Sequence, residues 1–108
     1  MSEFAGLLRE VVVIEQLVDR RTPSGVQDHE WHQVAEGHAA IVPDGIGSES
    51  EGAALSALAR FRITIRSGPA VVVGQRVRWS GLNLSVRQVL ADPRRPDRLV
   101  MRCEEMRA

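Results

Sequence analysis

The chain contains no lysine, no tyrosine and a single cysteine. One thiol can build neither an internal disulfide framework nor a cysteine-based zinc site. Cys103 sits in the apolar stretch Leu99-Val100-Met101-Arg102-Cys103 and reads as a buried structural thiol. Aromatic side chains are few, two Phe and two Trp, and most have a parity suited to a core, which speaks against a surface that stacks unpaired bases. No apolar run approaches the roughly 18 residues that a membrane span needs. The opening Met-Ser-Glu-Phe-Ala-Gly lacks the positive region of a signal peptide. A soluble protein made in a cytoplasm, with no membrane contact, is expected. Net charge is also missing: the formal sum is zero, unlike the basic surplus of most domains that wrap nucleic acid.

That zero conceals an uneven distribution. Residues 1–59 carry three Arg against ten acids, and residues 60–108 carry eleven Arg against four. Such a molecule can set unlike surfaces of successive copies against each other. Every basic residue is Arg, whose rigid fork makes bidentate contacts to carboxylates and suits protein interfaces.

At 108 residues the chain suits one domain spanning 1–108. Its clearest signal is Arg60 to Arg66, Arg-Phe-Arg-Ile-Thr-Ile-Arg, which alternates strictly. Side chains of a strand point to opposite faces in turn, so Phe61, Ile63 and Ile65 line a core face while Arg62, Thr64 and Arg66 line an outer one. Arg76-Val77-Arg78-Trp79 repeats the pattern within a strand over 75–80. Val11 to Ile14 is a β-branched run whose continuous apolarity suggests cover on both faces. Before it, Phe4 and Leu7 are expected to pack in a short lead-in turn. Residues 19–29 are polar around Thr22-Pro23-Ser24-Gly25 and read as a loop or hairpin tip. From Glu30 to Val42 sheet-like spacing returns, with Trp31, Val34, Ala39 and Ile41 as core candidates and Gly37 as a bulge, ended by Pro43. Asp44 to Gly52 is a Gly- and acid-rich loop. Ser48 with Glu51 fits a capping box opening a short helix over 51–58. Leu82 to Leu90, with Leu82, Leu84 and Val86 on one face, and Arg98 to Glu104 supply the last strands around the polar turn 92–97. The fold class is mainly β: a small antiparallel β-barrel or sandwich of five to six strands with one long loop and one short helix.

The search for reaction chemistry returns nothing that supports an enzyme. His29, His32 and His38 fall within ten residues, but on a strand only His32 and His38 share a face, so they read as surface histidines rather than a zinc set. Asp44, Glu49 and Glu51 lack the alternating spacing of a calcium loop. Gly45-Ile46-Gly47 resembles the start of a dinucleotide fingerprint without its third glycine or its context. No cofactor and no metal is expected.

Taken in order, the elements resemble the tailed-phage head-tail joining family, the head closure or stopper proteins, including homologues in gene transfer agents. The resemblance rests on Leu8-Arg9-Glu10-Val11-Val12-Val13-Ile14-Glu15, Trp31 leading to Gly37-His38-Ala39-Ala40-Ile41-Val42-Pro43, and Phe61-Arg62-Ile63-Thr64-Ile65-Arg66. It continues through Gly74-Gln75-Arg76-Val77, Gly81, Leu84, Val86 and Val89 to Leu99-Val100-Met101-Arg102-Cys103-Glu104. It covers nearly the whole chain and departs at Val13, where a polar residue is common, and at Leu84, where an aromatic is common. What it implies is a β-barrel subunit in a homo-oligomeric ring, between a portal or adaptor protein and a tail terminator or tail tube, in the neck of a virion assembled in a host bacterial cytoplasm. Double-stranded DNA would pass through the lumen without sequence-specific binding. By position the channel or gating loop would be Asp44, Gly45, Gly47, Glu49, Glu51 and Gly52. The acids would form collars that repel phosphates, and the glycines would let the loop swing. Arg62, Arg66, Arg76 and Arg78 are expected at the subunit or adaptor interface. Two other readings remain open at this point, a tail terminator or related ring component, and a small barrel that binds nucleic acid.

Overall fold

The computed structural model describes residues 6–25, 27–47 and 58–106. They form β1 (Glu10–Arg21), β2 (Gln27–Gly47), β3 (Leu58–Arg66), β4 (Arg76–Trp79), β5 (Leu82–Leu90) and β6 (Arg98–Glu105). All pairings are antiparallel and run β1-β2-β3-β6-β5-β4. A short seam closes the barrel, with Val13, Ile14 and Glu15 opposite Arg78, Val77 and Arg76. The expected mainly β architecture is present.

Alternation decides what goes inside. Val12 and Ile14 of β1, Ile63 of β3, Val77 of β4, Leu84 and Val86 of β5, and Met101 and Cys103 of β6 are almost completely buried. Burying one such side chain is worth about 1.5–3 kcal/mol relative to leaving it in water. Phe61 and Trp79 pack against this cluster and meet edge to face at 5.3 Å and 71°, a favoured aromatic geometry. The indole N–H of Trp79 donates to Glu10 Oε1 at 2.9 Å. Burial pushes the Cys103 thiol up to about 12, as a dry interior disfavours the thiolate.

β2 is 21 residues long, more than a barrel wall of this size requires at about 3.3 Å per residue. Its first part pairs only with β1, and only from Ala39 onward does it also pair with β3. Beyond Glu15, β1 has no β4 partner. The two strands therefore leave the barrel as a ribbon closed by the turn at Thr22–Gly25, where the Gly25 N–H donates to Thr22 O at 2.9 Å.

Several local expectations are corrected. The polar stretch 19–29 is not a loop: β1 continues to Arg21 and β2 starts at Gln27. A two-stranded ribbon pairs along its inner edges without burying a face in the core, so it carries no apolar alternation to read. Val11 is 53% exposed, so the Val11–Ile14 run is covered on one face only. Gly37 sits in regular register opposite Val12, and the bulge falls where Ile14 and Glu15 face Ala35 and Gln33. Val34 is the extra residue there and is exposed, not core. Pro43 does not end β2. The strand continues through Pro43, which pairs with Phe61, and crosses a second irregularity between Pro43 and Ile46, where Gly45 takes a φ of +89° that suits glycine. Leu8 rather than Leu7 is buried. Phe4, the capping pair Ser48 and Glu51, and helix positions 51–57 lie outside the described residues, while Leu58 opens β3. Among the described residues no helix is long and apolar enough to cross a membrane.

Candidate functional site

The barrel order separates the four arginines singled out above. β3 and β4 stand on opposite sides of the six-strand ring, so Arg62 and Arg66 project from one flank and Arg76 and Arg78 from the other.

On the β4 flank, Arg76 is fixed. Its Nη2 lies 2.6 Å and its Nε 2.8 Å from Glu15 Oε1, and its guanidinium stands 4.3 Å from the ring centroid of Trp31, within cation–π range. Arg78 reaches the second Glu15 oxygen at 3.6 Å. Glu15 is itself buried and lies opposite Arg76 on the outer face of the seam. Next to this cluster, Gln75 donates through Nε2 to Gln16 Oε1 at 2.9 Å and accepts the Val72 N–H at 3.0 Å. The polar groups where the ribbon leaves the barrel are thus largely matched to each other.

The opposite flank, the outer face of β3, β6 and β5, is more open. Asp44 is its anchor: Arg102 donates to Oδ2 at 2.9 Å and Arg62 approaches Oδ1 at 3.6 Å. Arg60 donates to Glu104 Oε2 at 3.0 Å. Arg66 lies opposite Arg98 on β6. Asp44, Arg60, Arg87, Gln88, Arg102 and Glu104 border a cleft of about 320 Å³. A second concavity beside it, about 300 Å³, is floored by Leu90, Ala91 and Val100 and edged by Arg62, Arg95 and Arg98. The intervening turn is held by its own ion pairs. A hydrogen bond from Arg94 holds the Asp92 carboxyl below the usual range, and one from Arg98 does the same for Asp97.

The expected loop residues divide. Asp44, Gly45 and Gly47 belong to β2 rather than to a loop: Asp44 is tied down by Arg102, Gly45 forms a bend, and Gly47 is the last paired residue, opposite Leu58. Glu49, Glu51 and Gly52 lie outside the described residues. The histidines do not converge: His29 bonds Asp19 at 2.6 Å and His32 bonds Glu30 at 3.0 Å. No group of three potential metal ligands occurs among the described residues. Arg60, Arg87 and Arg102 were not among the expected interface residues. The available signal was the broken alternation after Val86, since the next inward residue is Val89, three positions on. That step is the bulge between Val86 and Gln88, and it places Arg87 outside.

The described residues form a closed six-strand barrel with polar clusters on two opposite flanks. Residues 5–106 match the sequence model of the phage head completion proteins, and the chain belongs to that family. Among solved structures it is similar to a chain in the virion of a native gene transfer agent particle, at 20% identity with a TM-score of 0.70, covering 94% of this chain and 97% of that one. It is also similar to protein SF1141 from Shigella flexneri 2a, at 25% identity with a TM-score of 0.68, covering 93% and 94%. No curated protein matches. Membership supports a connector role in completing a phage head.

Proposed function

We propose that the chain is a non-enzymatic head closure protein, a ring between the portal or adaptor and the tail of a phage or phage-like particle. The observation that carries this reading is the family match over residues 5–106, joined to a barrel whose two arginine-bearing flanks face opposite ways. A cyclic ring needs two different surfaces on each subunit, one for each neighbour. The similarity to a chain of a gene transfer agent virion supports a place in a particle neck, with assembly in the host cytoplasm.

In this reading the end of β2 from Asp44, with the residues that follow it to Gly52, faces the lumen. Asp44, held by Arg102 and Arg62, is its fixed root, and the field that repels passing phosphates comes from Glu49 and Glu51, repeated around the ring. DNA then slides without the counterion release that makes arginine-lined surfaces bind it. Arg62, Arg66 and Arg78 belong to the contacts with neighbouring subunits or the adaptor. Arg76, already engaged by Glu15, shapes that flank from within.

Reversing Arg62 and Arg66 to Glu together tests the interface: the expected result is filled heads and separate tails in micrographs of the producing host. Normally joined particles would remove these arginines from the interface. Deleting Ser48 to Glu51 tests the lumen assignment, and DNA loss from tailless heads is expected. The exposed arginines of β3, β5 and β6 also suit a barrel that binds nucleic acid directly. Salt-dependent binding of the purified chain to DNA with a slope of several phosphate contacts would favour that second reading.

A further inference from the structure

We infer that the cleft bordered by Arg60, Arg87 and Arg102 accepts a carboxylate from the β1–β2 ribbon of a second copy of this chain. The inference rests on the ring reading and adds which surfaces meet. Charge inside the cleft is unbalanced. Its two carboxylates are taken, Glu104 by Arg60 at 3.0 Å and Asp44 by Arg102 at 2.9 Å, while Arg87 has no carboxylate partner among the described residues. The bulge between Val86 and Gln88 presents Arg87 at the cleft. A third guanidinium beside two satisfied pairs is a seat for one more anion, and the planar fork favours a carboxylate that accepts two bonds.

The complementary group is on the same chain, on the opposite flank. In β1 and β2, Glu10, Glu15, Asp19, Glu30 and Asp44 are each engaged by a donor. Asp28 and Glu36 remain, both exposed on β2, with no partner among the described residues. The ribbon that carries Asp28 has no core of its own. Past Glu15, β1 pairs only with β2, and β2 pairs only with β1 until Ala39. A two-stranded ribbon in water is marginal by itself, and both of its edges offer unpaired backbone groups. Beside the cleft, the exposed Leu90 and Val42 supply apolar contact for Leu17, which is 39% exposed on the ribbon. Contact between the unlike flanks repeats head to tail and closes into a ring.

Charge exchange in the full-length chain, followed by sedimentation velocity over a concentration series, tests this. Arg87→Glu is expected to weaken self-association at least tenfold at unchanged circular dichroism. Combining it with Asp28→Arg should restore association, whereas Glu36→Arg, on the barrel wall, should not. Oligomers that form equally well with Arg87→Glu, or that Asp28→Arg does not restore, would overturn the contact and leave the ring reading standing. A wild-type chain that stays monomeric at every concentration would count against both. A mobility shift of short duplex DNA that is abolished by Arg87→Glu, with no self-association, would assign the cleft to phosphate instead.

Discussion

The two flanks of the barrel use the same residue type on the same outward parity of a strand, and treat it differently. On the β4 side, Arg76 is 18% exposed and bridges a buried carboxylate and an indole face. On the β3 side, Arg62 is 53% exposed and reaches its only described acid at 3.6 Å. Alternation determines which face an arginine occupies, and the neighbouring strands decide whether it is structural or available. Arg76 serves the fold of its own chain, whereas Arg62 is largely exposed, which is what the proposed contact with a partner requires.

Both flanks rest on one core, so Ile63→Ala, beneath the open flank, should cost about 2–5 kcal/mol in urea unfolding, and Leu84→Ala should cost a similar amount. A loss below about 1 kcal/mol at Ile63 would mean that the open flank lacks a packed interior. Next comes Arg76→Met, which strands a buried carboxylate. Breaking one side of such a pair costs on the order of 3 kcal/mol, whereas Arg62→Met should stay within about 1 kcal/mol because exposed pairs contribute little. Equal losses at the two positions would erase the distinction between the flanks.

A third prediction uses the missing residue types. With no lysine and no tyrosine, the alkaline range is left almost entirely to Cys103, whose thiol is pushed up to about 12. A group with a raised native pKa stabilises the fold fully below its unfolded value, near 9, and that stability is lost as pH rises toward 12. Unfolding free energy should fall by on the order of 2 kcal/mol between pH 9 and 11. Cys103→Ala should flatten this slope while lowering stability overall. A wild-type slope that survives the substitution would show that the thiol is not dry. The smallest stability effect is expected for Arg87→Glu, within about 0.5 kcal/mol, although its effect on association is large.

The barrel was largely legible in the sequence because its walls have an inside. Phe61-Ile63-Ile65 and Leu82-Leu84-Val86 announce their strands through the faces they bury. The ribbon was not legible, since its strands pair with each other without packing on the core and so show no sustained apolar alternation. Gly37 and Pro43 misled for a related reason. Glycine and proline report only what the backbone tolerates, and the bulges fell at Val34 and Gly45, where register between strands is adjusted. Among the candidate site residues, the outward direction of Arg62, Arg66, Arg76 and Arg78 followed from parity. The locking of Arg76 required Glu15 and Trp31, which lie 61 and 45 positions away in the chain. No local pattern connects them.

The most direct measurement is a three-dimensional reconstruction of the neck in particles that carry this protein. It should resolve a ring between portal and tail in which the β3–β6–β5 face of each barrel lies against the β1–β2 ribbon of the next, with residues 44–52 toward the DNA. A neck without this barrel, or a ring whose β3–β6–β5 face points into the lumen, would contradict the account.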